Sequence, residues 1–514
     1  MNASSPSLAE FQTISDMVAQ TARDAPARLA VNDGERSLRY AEFDALVDRI
    51  AASLQRDGMA PCETVAVCAV TSLEYVALFL GALRAGIVVA PLSPSSTPES
   101  IAAMARDCGA RLLFCDETTR HALTKIDPAL RRIAFDDEAS GDGFAKWLRL
   151  SGAKPAPVVI APEWTFNIIY SSGTTGTPKG IEQSHLMRWL HVQRAALFGY
   201  DSEAVTLVST PLYSNTTLVS VFPALAGGGA LVLTRKFDAR AFLSLAQQRS
   251  VTHAMLVPVQ YRRIMSLPDF ERFDLTQFRM KFSTSAPFDA ALKQDVLRRW
   301  PGGLVEYYGM TEGGGTCILV AHEFPDKLHT VGRPVEGHDI RLVDDDGLEV
   351  PSGAIGEIVG HSGATMIGYH NQPAQTREAE WFDASGKRFI RSGDVGRFDS
   401  DGFLTLLDRR KDMIISGGFN IYPSDIESVL IERAEIAEAA VVGVASEAWG
   451  ETPVAYVALK PGSHADAEEL KRWVNSRLGK TQRLSGLRIV ESMPRSAIGK
   501  VLKRVLRDAW GEAS

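Results

Sequence analysis

Tyr170-Ser-Ser-Gly-Thr-Thr-Gly-Thr-Pro-Lys-Gly180 is the stretch of sequence that decides the fold. The apolar run 166–170 before it predicts a strand, and a helix capped by Ser184 is expected after it. Its two glycines allow the backbone to approach an anion without a Cβ in the way. Its hydroxyls and amides can donate hydrogen bonds to phosphate oxygens, and Lys179 adds a point charge. The stretch therefore predicts a phosphate-binding loop.

Two other interpretations of this stretch, a Walker motif and a flexible linker, fit the sequence less well than a phosphate-binding loop of another type. The Walker motif needs a lysine between glycine and Ser/Thr, whereas here Pro178 precedes Lys179 and a glycine follows it. Runs of Ser, Thr and Gly are often flexible linkers, but a strand before the loop and a helix after it argue against a linker. The residues expected to contact phosphate are Ser171, Ser172, Gly173, Thr174, Thr175, Gly176, Thr177 and Lys179.

The bulk composition excludes several classes of protein. A chain of 514 residues is too long for one core, so two or more domains are expected. The net charge of −7 arises from interspersed signs, which predicts no nucleic-acid partner. The five cysteines lack C-x-x-C spacing, which argues against a disulfide framework and a zinc site. Neither a signal peptide nor a membrane span is predicted, so a cytoplasmic location is expected.

Alternating strand and helix patterns predict an α/β fold with parallel strands. The expected strands include 65–70, 87–90, 112–114, 230–233, 254–257 and 280–282, and the expected helices include 40–56, 73–85 and 98–107. After about residue 330, frequent Gly and Asp turns predict a β-rich subdomain. We predict a large domain over 1–407, with mixed sheets flanked by helices, and a small mobile α+β domain over 408–514.

Further motifs follow the loop in order along the chain. They are Ser285-Ala-Pro287, Glu306-Tyr-Tyr-Gly-Met-Thr-Glu312, Arg391-Ser-Gly-Asp394, Asp408-Arg-Arg-Lys-Asp-Met-Ile414 and Pro494-Arg-Ser-Ala-Ile-Gly-Lys500. Together with the loop they resemble the acyl-adenylate-forming superfamily, which includes acyl-CoA synthetases, coumarate–CoA ligases, luciferases and peptide-synthetase adenylation domains. The resemblance covers nearly the whole chain. It implies a carboxylate–CoA ligase that uses ATP, Mg²⁺ and coenzyme A.

The resemblance also implies the roles of individual residues. Tyr308 would stack on the purine, Thr311 would donate to the α-phosphate, and Glu312 would hold Mg²⁺. A buried tyrosine without a ligand role accounts for Tyr307 equally well. The residues implied in nucleotide binding beyond the loop are Ser285, Ala286, Pro287, Glu306, Tyr307, Tyr308, Asp394 and Arg409. Lys500 would reach the α-phosphate and, with Thr311 and Glu312, act in catalysis.

The small domain carries the second half of the implied reaction. Asp408 would be the hinge, and Ser416, Gly417 and Gly418 would line the path of coenzyme A. The lysine that the family often has at the position of Ile415 is missing here. The resemblance also implies Lys500 as a site for a lysine acetyltransferase. The oligomeric state stays open, with a homodimer as one option.

The substrate is expected to be an apolar carboxylic acid, aromatic or of medium chain length. No acidic residue occurs in Pro211–Thr217, which argues against an amine-bearing acid. The resemblance places the acyl pocket at Tyr213, Ser214, Asn215, Met310, Gly313 and Gly314. The glycines favour an aromatic acid over a medium-chain fatty acid by a small margin. Two alternatives stay open: an acyl-AMP ligase that loads a carrier protein, and a non-catalytic nucleotide-binding relative.

Overall fold

The computed structural model describes residues 11–34, 36–136, 141–171, 179–409, 412–416, 419–446, 449–479, 482–496 and 500–511, apart from the side chains of residues 171, 408, 409, 419 and 420. The α-helices are α1 (Ile14–Asp24), α2 (Tyr40–Arg56), α3 (Leu73–Arg84), α4 (Pro98–Asp107), α5 (Phe144–Trp147), α6 (His185–Ala196), α7 (Asn215–Ala226), α8 (Ala239–Gln248), α9 (Pro258–Met265), α10 (Ala290–Arg299), α11 (Pro373–Glu378), α12 (Pro423–Ile431), α13 (Ala467–Asn475) and α14 (Lys503–Gly511).

The strands before residue 330 are β1 (Leu29–Asn32), β2 (Ser37–Arg39), β3 (Thr64–Cys68), β4 (Val88–Pro91), β5 (Leu112–Cys115), β6 (Arg132–Ala134), β7 (Asp142–Gly143), β8 (Thr165–Ser171), β9 (Lys179–Ser184), β10 (Val205–Val208), β11 (Ala230–Leu233), β12 (His253–Leu256), β13 (Met280–Ser283), β14 (Gly303–Tyr308) and β15 (Cys317–Val320). Those after it are β16 (Arg333–Pro334), β17 (Asp339–Val343), β18 (Gly356–His361), β19 (Gly368–Tyr369), β20 (Glu380–Phe382), β21 (Arg388–Phe398), β22 (Leu404–Arg409), β23 (Ile414–Ser416), β24 (Phe419–Ile421), β25 (Ile436–Ser446), β26 (Gly450–Leu459) and β27 (Gly486–Val490).

The chain divides into two compact units. The first comprises residues 1–329, 334–339 and 360–390, and the second comprises 330–333, 340–359 and 391–514. The predicted α/β fold with mixed sheets and a smaller α+β part is confirmed. The proposed domain limit at 408 stays a prediction.

Two mixed sheets form the framework of the first unit. One has the strand order β19-β9-β8-β4-β3-β5-β6-β7, and the other runs β15-β14-β13-β12-β10-β11-β1-β2. The strands from β14 to β1 in the second sheet are parallel to their neighbours, whereas β15 and β2 run antiparallel. Strands β3, β4, β10 and β11 consist mainly of apolar residues and are almost entirely buried, as expected for parallel strands covered on both faces.

The phosphate loop differs from the sequence prediction in one respect. A strand, β9, intervenes between the loop and the helix, and it pairs antiparallel with β8. The loop therefore connects the two strands of a hairpin rather than a strand and a helix. The cap is confirmed, because the Ser184 hydroxyl accepts a hydrogen bond of 3.1 Å from the amide of Met187 at the start of α6. Residues 172–178 lie outside the described part.

The second unit contains the α+β fold expected of the C-terminal part. Its sheet has the order β24-β23-β26-β25, with β27 paired parallel to β26. Helices α12 and α13 pack on this sheet through a cluster that includes Ile426, Leu430, Leu470 and Val474. The final helix, α14, begins at Lys503, after an antiparallel bridge between Arg495 and Val501.

None of the helices described is long and apolar enough to cross a membrane. The described residues also hold no cluster of three or more metal-ligating side chains. Any metal bound at these residues would therefore depend on fewer protein ligands and on the substrate.

Candidate functional site

The loop Gly309–Thr316 leaves the carboxyl end of β14, a parallel strand near one side of its sheet, and carries Thr311 and Glu312. Ligand sites in open α/β sheets lie at the carboxyl ends of parallel strands. The carbonyl of Glu312 accepts a 2.8 Å hydrogen bond from the amide of Met366. The loop is therefore held in place by the 360–366 segment.

Tyr369 connects the carboxylate of Glu312 with the lysine of the phosphate loop. Its hydroxyl donates to Glu312 Oε1 over 3.0 Å, and the Lys179 ammonium lies 4.9 Å from its ring centroid. Burial, with the Glu312 charge adding to it, raises the pKa of the Tyr369 phenol, so this hydroxyl remains a donor. The structure thus brings Lys179 to the ring of Tyr369 and Glu312 to its hydroxyl.

The environment of Glu312 fits a role in holding Mg²⁺. Glu312 is half-buried, and Tyr369 is the only hydrogen-bond partner of its carboxylate in the described part of the chain. One carboxylate oxygen is therefore oriented while the other is unengaged there. Mg²⁺ is commonly held by one or two carboxylates together with substrate phosphates, so a single oriented carboxylate suffices.

A polar network behind the loop fixes the position of Thr311. Gln183 Nε2 donates to the carbonyl of Thr311 over 2.6 Å and lies 3.5 Å from Asn215 Oδ1. Its own amide oxygen accepts hydrogen bonds from Asn167 and Arg188. The network therefore joins β8, β9, α6 and α7 to the backbone of the loop.

Arg188 is the buried cation of this network. It is 1% exposed and donates to Asn167 Oδ1 over 2.9 and 3.0 Å. Its guanidinium carbon lies 5.7 Å from the ring centroid of Phe166 and 5.9 Å from that of Phe222. Burial lowers its pKa to about 9. Its Nη1 has no hydrogen-bond partner among the described residues. A charge with only neutral partners is costly to bury, so this arginine is held there by the network and the rings.

Glu306 and Tyr307 have surroundings of their own. The Glu306 carboxylate is buried and forms an ion pair with Lys293, and burial outweighs that ammonium and raises the carboxyl pKa to about 7. The Tyr307 ring stacks on Phe282 at 5.7 Å with an interplanar angle of 10°. Both side chains therefore have structural partners in the first unit. Tyr308 is 9% exposed, and its adenine contact stays a prediction.

Ser285 adopts an unusual backbone conformation. Its φ of +79° is one that glycine adopts freely and that costs other residues energy. Its hydroxyl lies 2.5 Å from that of Thr216. Serine at this position therefore has a left-handed backbone together with one side-chain hydrogen bond to Thr216. Ala286 is half-buried and Pro287 is exposed beside it.

The predicted acyl-pocket residues divide into two groups. Tyr213 and Asn215 are half-buried and Ser214 is buried at the start of α7, while Met310 packs with Ile181, Met366 and Ile390.

Gly313 and Gly314 have another reason to be glycine. Both have positive φ, and a Cβ on Gly313 would clash with the carbonyl oxygen of Ala364. A Cβ on Gly314 would lie 2.7 Å from the Gly360 oxygen. These glycines allow close backbone packing, so the structure gives no support to the idea that they leave room for an acid.

In the second unit, two residues implied in nucleotide binding lie opposite each other on neighbouring strands. Asp394 of β21 lies opposite Arg409 of β22, and Val395 lies opposite Asp408. Asp394 is half-buried, and its amide donates to the Ser392 hydroxyl over 3.0 Å. Asp408, the proposed hinge, is therefore near the end of a paired strand.

Lys500 is exposed at a tight loop of the second unit. The loop is closed by a 2.8 Å hydrogen bond from the Ser496 amide to the Lys500 carbonyl, and Arg495 is anchored to Glu438 over 2.6 Å. Ser416, proposed to line the coenzyme A path, is buried at the end of β23 and pairs with Gly450. Gly417 and Gly418 lie outside the described residues.

Sequence reasoning missed Gln183, Arg188 and Tyr369. Gln183 and Tyr369 belong to short strands that the pattern did not reveal, and Arg188 stands among apolar residues of a helix. The one available signal for Arg188 was a basic residue on the buried face of α6.

The sequence matches two family models. Residues 18–370 match the AMP-binding enzyme family, and residues 425–500 match the AMP-binding enzyme C-terminal domain. The chain belongs to the AMP-binding enzyme family.

The curated relatives of this family member include three ligases. It is 30% identical to the fatty acid–[acyl-carrier-protein] ligase ScoC of Streptomyces coeruleorubidus, over 98% of both chains. It is 33% identical to an indoleacetate–CoA ligase of Aromatoleum aromaticum, over 94% of this chain and 95% of the relative. It is also 33% identical to a feruloyl-CoA synthase of an Amycolatopsis species, over 95% and 97%.

Solved structures agree with this assignment. ATP-bound MatB from Rhodopseudomonas palustris has a TM-score of 0.87 and 27% identity, covering 98% of this chain and 100% of that one. An o-succinylbenzoate–CoA synthetase from Bacillus subtilis, in complex with ATP and magnesium, has a TM-score of 0.82 and 25% identity, covering 96% and 99%. The predicted superfamily, and an acid–thiol ligase that uses ATP, Mg²⁺ and coenzyme A, are confirmed at the level of this family.

Proposed function

We propose that this family member activates an apolar carboxylic acid, aromatic or of medium chain length, and transfers it to coenzyme A. The carboxylate attacks the α-phosphate of ATP and gives acyl-AMP and pyrophosphate, and the thiol then displaces AMP. The observation that carries the proposal is the placement of Glu312, with one oxygen held by Tyr369 beside Lys179 and with Thr311 fixed by Gln183. Glu312 would hold Mg²⁺, which neutralises phosphate charge when bound.

Two assays test this proposal on one panel of carboxylic acids. ATP–pyrophosphate exchange measures the first step, and AMP release that requires coenzyme A measures the second. We expect both with at least one aromatic or medium-chain acid. Absence of exchange with every acid would favour the non-catalytic relative and overturn the proposal.

A carrier-protein ligase is the second candidate, because ScoC is among the most similar relatives. The two candidates share the first step and differ in the thiol. Exchange without coenzyme A-dependent AMP release, together with transfer to a phosphopantetheinylated carrier protein, would assign the chain to this second class.

The hinge role of Asp408 is tested by separating the two steps. Proline fixes φ and disfavours helical torsions at the preceding residue, so Asp408→Pro should hold the enzyme in one arrangement. We expect adenylation to survive and transfer from synthetic acyl-AMP to fail. Asp408→Ala, which keeps torsional freedom, is the matched control. A parallel fall in both steps in the proline variant would argue against a domain rotation.

Three further features belong to the proposal. Lys500 is exposed, which fits modification by a lysine acetyltransferase that would neutralise the amine. We also propose that the protein is cytoplasmic and forms a homodimer. Mass spectrometry of the purified protein and light scattering test the modification and the oligomeric state.

A further inference from the structure

Helix α6 of the first unit carries a charged residue, Arg194, that has no role in the proposed mechanism. Met187, His191 and Arg194 are spaced four and three residues apart on α6 and therefore lie along one face. Met187 Cε lies 3.0 Å from the position that a Cβ on Gly313 would take, and Leu190 Cδ1 lies 3.1 Å from the corresponding position on Gly363. This face is therefore directed at the loop that follows Thr311 and Glu312, and at the 360–366 segment.

Arg194 has weak compensation for its charge. It is half-buried, donates to the Thr316 hydroxyl over 3.4 Å and lies 5.7 Å from the Tyr307 ring centroid. No carboxylate of the described residues contacts it. Arg84 of the same unit shows the contrast, since its guanidinium lies 2.6 Å from both Asp44 and Asp48. A guanidinium removed from water is normally paired with an anion, so Arg194 lacks the partner that such a group requires.

The groups around Arg194 offer further hydrogen bonds. His338 Nδ1 accepts a 3.0 Å hydrogen bond from the Thr316 amide, which places the proton of the neutral ring on Nε2 and makes that nitrogen a donor. His191 Nδ1 is buried and has no partner in the described part of the chain. Burial, with Arg194 adding to it, lowers the pKa of both rings, to about 4 for His338. Arg194 is therefore the single cation among them.

The surroundings of this donor group are aromatic. The Tyr307 ring lies 5.7 Å from the Arg194 guanidinium carbon and stacks on Phe282, and Phe198 meets it edge-on at 6.1 Å. An apolar wall that ends in a guanidinium suits a ligand with an apolar body and an anionic end. Thr316, which accepts the hydrogen bond from Arg194, belongs to the loop that carries Thr311. The reacting carboxylate would be activated at Thr311.

We propose that Arg194, with His338 and His191, binds an oxygen acceptor at the end of the substrate that is remote from its reacting carboxylate. The substrate is then an apolar carboxylic acid with a distal carboxylate or phenolic oxygen. A carboxylate matches the planar fork of a guanidinium in two parallel hydrogen bonds, and a phenolic oxygen accepts one of them. This inference rests on the proposed adenylation and names the class of acid.

The test compares cinnamic acids that carry a para carboxylate, a para hydroxyl or a para methyl group. ATP–pyrophosphate exchange provides kcat/KM for each acid without reference to the accepting thiol. We expect the better of the two oxygen-bearing acids to exceed the methyl acid by ~10- to 100-fold, since a buried group left unpaired costs that much discrimination. Which of the two is preferred then distinguishes a dicarboxylic acid from a phenolic acid.

Three variants locate the effect. Arg194→Met should reduce the ratio between the oxygen-bearing and methyl acids to near one, and Arg194→Lys should restore part of it. Arg249→Met, which removes an exposed guanidinium of the same unit, is the matched control and should keep the wild-type ratio. The ratio is internal to each preparation, so a partial loss of folded protein does not alter it.

The outcomes separate this inference from the proposed function. Exchange with the methyl acid, at a ratio that Arg194→Met leaves unchanged, overturns the role of Arg194 and leaves adenylation standing. A wild-type preference for the methyl acid does the same. Absence of exchange with the wider panel of acids as well would overturn the proposed function and this inference with it.

Discussion

The two parts of the predicted machinery, the Thr311–Glu312 loop and the Lys500 loop, are built in opposite ways. The first is fixed from several sides, by Gln183 at the Thr311 carbonyl, by Met366 at the Glu312 carbonyl and by Tyr369 at the carboxylate. Lys500, in contrast, is exposed on a short loop of the second unit. The difference teaches that the residues predicted to bind nucleotide and metal are preorganised by packing, whereas the lysine is exposed on the surface of its own unit.

The largest expected effect comes from removing the exposed lysine. Lys500→Ala should slow acyl-AMP formation by ~10²–10³-fold, the usual cost of losing one donor to the charge that develops in the transition state. The same variant supplied with synthetic acyl-AMP should still form acyl-CoA, as measured by thioester release. Lys460→Ala removes another exposed amine of the second unit and should leave both steps unchanged. Equal loss of both steps in Lys500→Ala would refute a role confined to adenylation.

Substitutions at Glu312 and Tyr369 test the role of the preorganised Thr311–Glu312 loop in binding Mg²⁺. Glu312→Gln keeps the shape and removes the charge, so the Mg²⁺ concentration that gives half-maximal adenylation should rise. Tyr369→Phe removes only the donor that orients the carboxylate, and it should raise that concentration less, by ~10-fold, as for other residues that orient a metal ligand. A magnesium titration of pyrophosphate exchange measures both. Wild-type metal dependence in Glu312→Gln would make this carboxylate a structural group.

The sequence predicted the fold well wherever apolar periodicity was strong. Helices 40–56 and 98–107 occur with those limits as α2 and α4, because an amphipathic pattern and capping residues determine them locally. Strand β9 was missed because it is fixed by pairing, with β8 across the phosphate loop and with β19 from a distant part of the chain. Local patterns do not contain that information.

The candidate site also contains residues that the sequence predicted and residues that only the structure revealed. Thr311, Glu312 and Lys179 were predicted from motifs, and the structure places Lys179 and Glu312 around Tyr369. Tyr369 itself could not be predicted, since it is 57 residues from Glu312 and meets it only through the fold. The polar network around Arg188 was hidden for the same reason. Residues predicted to contact a ligand occur in sequence motifs. The residues that position them are identified only by their tertiary contacts.

A smaller effect tests whether the network behind Thr311 acts as a unit. Arg188→Met and Gln183→Leu should each lower adenylation, because each removes a link between the buried cation and the Thr311 carbonyl. In a double-mutant cycle the pair should show a coupling of about 1 kcal/mol in the activation free energy, since neighbours in one network do not act additively. Rates from pyrophosphate exchange measure it, and the KM for ATP should rise more than kcat falls. Strict additivity would show that Arg188 stabilises only the core.

The smallest effect concerns Ser285, where strain and a hydrogen bond oppose each other. Ser285→Ala keeps the Cβ at a φ of +79° and loses the bond to Thr216, so it should lower the free energy of unfolding by about 1 kcal/mol. Ser285→Gly also loses the bond but relieves the left-handed strain, which is worth about 1 kcal/mol for a residue other than glycine. Its stability should therefore stay close to wild type. Chemical denaturation of the three proteins measures the difference. Equal destabilisation in both variants would mean that the backbone at this position is not strained, and that serine is retained for its hydroxyl alone.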